Sequence, residues 1–317
     1  MKIVVLDGYT LNPGDNPWTE VESLGALTVY DRTASVEIVS RAAEADILLT
    51  NKTPLTAETL SALPNLKFIS VLATGYNIVD VAAARDRNVP VSNVPEYGTQ
   101  SVTQHVLAAM LHFARHCALH DQLVREGEWQ QRGDFCFWQT PLIELTGKHL
   151  GIIGFGRIGR SVGQLAHALG MEVMAFDVEQ DNAPDYAPFA WGSIEDVFTQ
   201  SDFVSLHCPQ TPDNIGMVDR QLLGKMQPHA IFINTARGGL VNERDLADAL
   251  NQGVIGGAAL DVLSVEPPPK DHPLLHAANC LITPHIAWAT LQARRRMMAI
   301  TAGNLRAFLG GTPRNVV

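Results

Sequence analysis

Short runs rich in β-branched and aromatic residues alternate with helix-patterned stretches from one end of the chain to the other, and nothing else restricts the fold as much. Strands that alternate with helices assemble into parallel sheets with helices on both faces, so the fold class is α/β. The spacing predicts strands at Lys2–Leu6, Leu27–Tyr30, Ile47–Leu49 and Phe68–Val71. A second series follows at His149–Ile153, Glu172–Phe176, Phe203–Leu206, Ala230–Ile233, Gly256–Leu260 and Cys280–Ile282. Between the two series, Val102, Val106, Ala109, Met110, Phe113 and Cys117 form one apolar stripe, and a single helix is expected from Thr99 to about Glu126. A last helix, Thr290–Leu309, has no strand after it and is expected to pack back on the first series. The 317 residues are enough for two domains. The expected division is 1–98 with 287–317 as a discontinuous domain, and 99–286 as a second domain inserted into it.

Composition narrows the partners. The 23 Lys+Arg against 33 Asp+Glu give a net charge of −10, which disfavours nucleic acid or an anionic membrane as the main partner. Cys117, Cys136, Cys208 and Cys280 stand far apart with no C-x-x-C pair, so neither a disulfide framework nor a thiolate zinc site is expected. Met1 to Asp7 reads as a short strand closed by an acid, not as a secretory leader, and no apolar run approaches the ~18 residues of a membrane span. A reducing, cytoplasmic location is the expectation. His105, His112, His116 and His120 recur at helical spacing, but nothing nearby completes a coordination shell, and no metal is expected.

Gly154-Phe155-Gly156-Arg157-Ile158-Gly159 matches G-x-G-x-x-G, and its flanks give the string its weight: an apolar strand leads in and an amphipathic helix leads out. Gly154 suits the tight turn, Gly156 the approach of backbone to a pyrophosphate, and Gly159 the close packing of helix on strand. The N–H groups of the first helical turn, at Arg157 and Ile158, face the phosphates. Asp177 closes the next strand, where an acid can bind the adenosine ribose hydroxyls. With Glu179 nearby and no Lys or Arg between them, a 2′-phosphate would meet like charge, so the cofactor is read as NAD, with NADH preferred over NADPH.

Ligands of open parallel sheets bind beyond the carboxyl ends of the strands. In this chain those positions carry His207-Cys208-Pro209, Asn234-Thr235-Ala236-Arg237-Gly238, Asp261 and Pro284-His285. His207, Cys208, Pro209, Thr235, Ala236 and Asp261 are assigned to the cofactor. Reduction of a 2-oxo acid needs a cation for the carboxylate and a proton donor for the carbonyl oxygen. Arg237 offers a planar fork for the first, His285 an imidazole for the second, and Glu266 a carboxylate that would favour the protonated imidazole.

Together with Ala73-Thr74-Gly75-Tyr76-Asn77-Ile78-Val79-Asp80, these landmarks resemble the D-isomer-specific 2-hydroxyacid dehydrogenase family along almost the whole chain. The resemblance implies a Rossmann NAD domain inserted into a flavodoxin-like substrate domain. It implies Arg237 as substrate anchor, His285 as acid/base, Glu266 as its partner and Asp261 near the nicotinamide amide. Backbone around Thr74 and Gly75 would receive the substrate carboxylate. The stretches Tyr97–His105, Asp134–Trp138 and His285–Thr290 look most like glycerate dehydrogenases, also called hydroxypyruvate reductases, which implies reduction of hydroxypyruvate or glyoxylate. Gln104 and Ala287 depart from the common Glu and Gly of the family. A twofold homodimer is the implied assembly, with Phe135 and Trp138 able to line a neighbour's pocket. Other readings are a non-catalytic NAD-sensing or protein-binding module on the same fold, and a phosphoglycerate dehydrogenase.

Overall fold

The computed structural model describes residues Met1 to Val317, which divide into two compact units: Met1–Gly98 with Trp288–Val317, and Thr99–Ala287. In the first unit the strands are β1 (Lys2–Val5), β2 (Ala26–Val29), β3 (Ile47–Thr50), β4 (Phe68–Val71) and the short β5 (Val91–Ser92). They lie parallel in the order β2-β1-β3-β4-β5, a flavodoxin-like arrangement. Side chains alternate between the faces of a strand, and the central strands β1, β3 and β4, covered on both faces, are mostly apolar. Ile3, Val5, Ile47, Leu49 and Phe68 join one core, while Val4, Leu6, Leu48, Ile69 and Val71 join the other.

The helix Leu291–Leu309 covers the first of these faces, placing Ala293, Met297, Met298, Ala302 and Leu305 at i, i+4, i+5, i+9 and i+12 against it. Thr290 caps it by accepting from Ala293 N, and Phe308 stacks on Phe68 with ring centroids 4.5 Å apart. Burying Leu305 alone contributes about 1.5–3 kcal/mol. That gain gives the physical reason why a helix distant in sequence completes the first unit.

In the second unit β6 (His149–Ile153), β7 (Glu172–Phe176), β8 (Phe189–Trp191), β9 (Phe203–Leu206), β10 (Ile231–Asn234), β11 (Gly257–Leu260) and β12 (Cys280–Ile282) form one parallel sheet, ordered β12-β11-β10-β9-β6-β7-β8. The winding reverses between β6 and β9, the switch point beside which ligands of such sheets bind. The helix expected from Thr99 to Glu126 is instead two, Thr99–Arg115 and Cys117–Arg125. His116 between them adopts a left-handed conformation with φ +47°, and the carbonyl of Ala114 takes the Ile143 N–H at 3.0 Å. A residue in that region turns the chain out of the helix, and the loop amide satisfies the carbonyl so released. No helix is long and apolar enough to cross a membrane.

Candidate active site

The glycine turn sits where β6 gives way to the helix Arg157–Ala168. Gly154 has φ +93°, and a Cβ there would lie 2.4 Å from Cys208 N, so only glycine fits. A Cβ on Gly159 would come within 2.2 Å of Gly154 O, which makes the close packing of helix on strand depend on its absence. A Cβ on Gly156 would meet nothing within 4 Å, so the space before the helix N-terminus is open. Arg157 lies exposed and Ile158 half-buried in the first helical turn. An open space at the positive end of a helix dipole fits a pyrophosphate.

Asp177 ends β7 beside this turn. Its Oδ2 accepts from Phe155 N at 2.6 Å and its Oδ1 from Val178 N at 2.7 Å. The carboxylate therefore braces the glycine turn, a duty that its position in the sequence does not reveal. On the other side of β6, the His207 N–H donates to Ile153 O at 2.7 Å, and His207 Nε2 pairs with Ser205 Oγ at 2.9 Å. Burial pushes the half-buried His207 imidazole down to about 3, and likewise raises the neighbouring Cys208 thiol. Pro209 is exposed beyond them.

The next three strands, β10, β11 and β12, are parallel neighbours, so the loops at their carboxyl ends emerge along one edge. After β10, buried Asn234 accepts from Ala236 N with Oδ1 (3.0 Å) and donates from Nδ2 to Arg237 O (2.9 Å), clasping the loop that carries Thr235, Ala236 and Arg237. The Arg237 side chain is exposed, with Nη1 donating to Ala236 O at 2.7 Å. The Thr235 hydroxyl is buried without a hydrogen-bond partner.

After β11, Asp261 is almost wholly buried. Its Oδ1 accepts from Thr283 Oγ1 (2.6 Å) and Ile286 N (2.8 Å), its Oδ2 from Ala287 N (2.8 Å), and its carbonyl from His285 N (2.8 Å). Its carboxylate thus organises the segment after β12. That segment holds His285 at φ +55°, a sparsely populated backbone region that persists only where surroundings over-determine it. His285 Nδ1 lies 2.7 Å from Glu266 Oε2, and Glu266 Oε1 accepts from Leu263 N at 3.1 Å. Residues 19 positions apart thereby form a carboxylate–imidazole pair.

Thr74 and Gly75 belong to the first unit, in the bend after β4. Thr74 Oγ1 donates to Val94 O at 3.0 Å and its carbonyl accepts from Asn93 Nδ2 at 2.8 Å, so the bend is held from one side. The histidines on the broken helix pair go elsewhere: His120 Nε2 accepts from Gln139 N at 3.1 Å, with its Nδ1 against His116 O at 2.9 Å. The sequence motif after β10 includes Asn234 and Gly238 without giving either a role; in the structure Asn234 bonds backbone two and three residues on, and Gly238 lies against the distant backbone of Leu263 and Ser264.

Residues 107–287 match the sequence model described as D-isomer specific 2-hydroxyacid dehydrogenase, NAD binding domain. A hydroxypyruvate reductase of Blautia hydrogenotrophica is 49% identical over 320 positions, covering 100% of this chain and 99% of that protein. A glycerate dehydrogenase of Methylorubrum extorquens is 43% identical over 285 positions, covering 89% of this chain and 88% of that protein. Among solved structures, an acyclic imino acid reductase in complex with NADPH and D-arginine superposes with a TM-score of 0.85 at 29% identity, with 100% of both chains covered. By these likenesses over its whole length, this chain belongs to the D-isomer specific 2-hydroxyacid dehydrogenase family.

Proposed function

We propose that this oxidoreductase reduces a short 2-oxo acid, hydroxypyruvate or glyoxylate, to the corresponding D-2-hydroxy acid, and catalyses the reverse oxidation. The 2.7 Å pairing of His285 Nδ1 with Glu266 Oε2, on loops adjoining the one that carries Arg237, is the observation that carries this reading. A nicotinamide dinucleotide supplies the reducing equivalent when bound. Gly154, Gly156, Arg157, Ile158 and Gly159 would hold its pyrophosphate, Asp177 its adenosine ribose, and His207, Cys208, Pro209, Thr235, Ala236 and Asp261 the rest of its length. NADH is the preferred form, because a 2′-phosphate beside Asp177 and Glu179 would meet like charge, with no Lys or Arg from Val178 to Asn182 to receive it.

Arg237 binds the substrate carboxylate through paired, charge-assisted hydrogen bonds, each contributing about 1.5–3 kcal/mol. His285 delivers a proton from Nε2 to the carbonyl oxygen as the hydroxyl forms. Glu266 accepts the Nδ1–H, which holds the ring in orientation and leaves Nε2 as the transferring nitrogen. The unit 99–287 is the cofactor domain on this reading, and the unit 1–98 with 288–317 the substrate domain. Phe135 and Trp138, 90% and 62% exposed, support a homodimer in which a second copy covers them.

The test is to mix the protein with NADH and a panel of small 2-oxo acids and follow the loss of reduced-nicotinamide absorbance. Hydroxypyruvate or glyoxylate should give the highest kcat/KM. His285→Gln should lower kcat by roughly 10²–10⁴-fold while leaving NADH affinity nearly unchanged. Turnover of that variant close to the parent would sink the assignment, and no turnover of any oxo acid by the parent protein would favour a non-catalytic module.

A further inference from the structure

We infer that His105 is a positioning residue for the proton transfer: through Thr283 and Asp261 it fixes the backbone on which His285 is mounted. The inference rests on the reading of His285 as the proton donor. His105 stands on the helix Thr99–Arg115, half-buried, with Nε2 3.2 Å from Thr283 Oγ1 and 3.8 Å from Asp261 Oδ1.

The direction of each hydrogen bond follows from counting protons. A threonine hydroxyl has one, and a carboxylate has none to give. Thr283 Oγ1 lies 2.6 Å from Asp261 Oδ1, which also accepts from Ile286 N, so the hydroxyl proton points at Asp261. Its oxygen can then only accept, and the contact with His105 requires a proton on Nε2. His105 is thereby assigned the Nε2–H form, donating into a chain that runs His105 → Thr283 → Asp261.

The same helix grips the other end of the segment. Ser101 Oγ donates to Ala287 O at 2.5 Å, and Ser101 and His105, four residues apart, lie on one helical face. The five residues Thr283–Ala287 are therefore tied at their first residue to His105, at their last to Ser101, and in between to the Asp261 carboxylate and carbonyl. His285 sits inside this tether in its left-handed conformation. Relaxation of that backbone would swing the ring away from Glu266 Oε2, and the donation from His105 adds a second hold on the Thr283 hydroxyl that Asp261 already engages.

The experiment compares His105→Leu, His105→Gln, Thr283→Val, the His105→Leu/Thr283→Val double variant and His285→Gln, using NADH with the best oxo acid of the panel. The amide nitrogen of glutamine can take the place of Nε2–H, whereas leucine fills space without donating. His105→Leu should lower kcat about tenfold with KM for NADH changed less than about twofold, and should raise the solvent deuterium isotope effect on kcat as proton transfer becomes limiting. His105→Gln should recover most of that loss. Thr283→Val should reproduce the defect, and the double variant should be no slower than either single, since both break one chain. The inference is overturned if His105→Leu keeps kcat within twofold, if His105→Gln is as slow as His105→Leu, or if the double variant multiplies the two losses. Should His105→Leu not fold, Thr283→Val and its isotope effect carry the same decision. His285→Gln separates the two ideas: its retention of turnover removes the proton-donor reading itself, whereas its inactivity beside a fully active His105→Leu removes only the positioning role.

Discussion

Replacing Gly238 by alanine adds one carbon between the loops that carry Arg237 and Glu266 and tests whether their mutual packing sets the rate of the proposed reaction. An ideal Cβ at Gly238 would lie 1.9 Å from Leu263 C, 2.2 Å from Ser264 N and 2.3 Å from Leu263 O. Carbon atoms pack no closer than about 3.5 Å, so the two segments must part by about 1.5 Å. The obstacle is backbone on the partner side, and no side-chain rotation relieves it. Leu263 and Ser264 are anchored in turn, the first by donating to Glu266 Oε1 and the second to Glu243 Oε1 at 2.7 Å. Overpacking of this kind costs about 1–3 kcal/mol, which lowers the melting temperature of the unit containing it by several degrees. The displacement falls on Arg237, the preceding residue, or on Glu266, whose carboxylate is set by the Leu263 amide. A misplacement of about 1 Å at a reacting group costs on the order of 10²-fold in rate, so kcat/KM for the oxo acid should fall by about that factor. The glycine turn after β6 belongs to a different loop, and NADH affinity should stay within about threefold. Steady-state kinetics, fluorescence titration with NADH and thermal melting give the three readings. A Gly238→Ala protein with parental kcat/KM and melting temperature would refute the claim that this contact sets the geometry of the loops.

Three further outcomes are expected. Asp177→Ala should weaken NADH binding by releasing both the ribose contact and the Phe155 N–H, and should narrow the ratio of kcat/KM for NADH over NADPH; an unchanged ratio removes Asp177 from cofactor selection. His207 titrates near 3 in the folded chain against 6.5 when unfolded, so below pH 6.5 the unfolded chain binds the extra proton. The contribution of that neutral imidazole to stability is whole above about pH 6.5 and is lost as the pH falls toward 3. His207→Gln should therefore flatten the acid-side decline of the urea midpoint, and an identical decline would count against burial as the cause. Replacing Phe135 and Trp138 together by alanine should shift sedimentation toward the monomer, and an unchanged sedimentation profile would place the subunit contact elsewhere.

Much of the fold is legible because parallel strands buried on both faces must be apolar at successive positions. Phe68–Val71, His149–Ile153, Glu172–Phe176, Phe203–Leu206 and Cys280–Ile282 have in the structure the bounds their patterns predict. The strands that pattern reading passes over, Val91–Ser92 and Phe189–Trp191, are edge strands of two and three residues, too short for periodicity to register. The break at His116 was not legible either. A continuous stripe of apolar residues spans it, and the left-handed turn at His116 is matched by the Ile143 amide, which arrives from far along the chain to take the Ala114 carbonyl.

The candidate site divides in the same way. Chain order and strand ends alone pick out the glycine turn, Asp177, Arg237, Glu266 and His285, because local chemistry at the carboxyl end of a strand is written in neighbouring residues. Only the folded chain decides that Glu266 meets His285 at 2.7 Å, that Asp261 spends its carboxylate on the segment around His285, and that Gly238 must be bare for two loops to touch. Periodicity and turn chemistry act over a few residues and so are readable in one dimension. Hydrogen bonds and contacts between loops depend on strand order in space, and strand order is settled by the packing of the whole sheet.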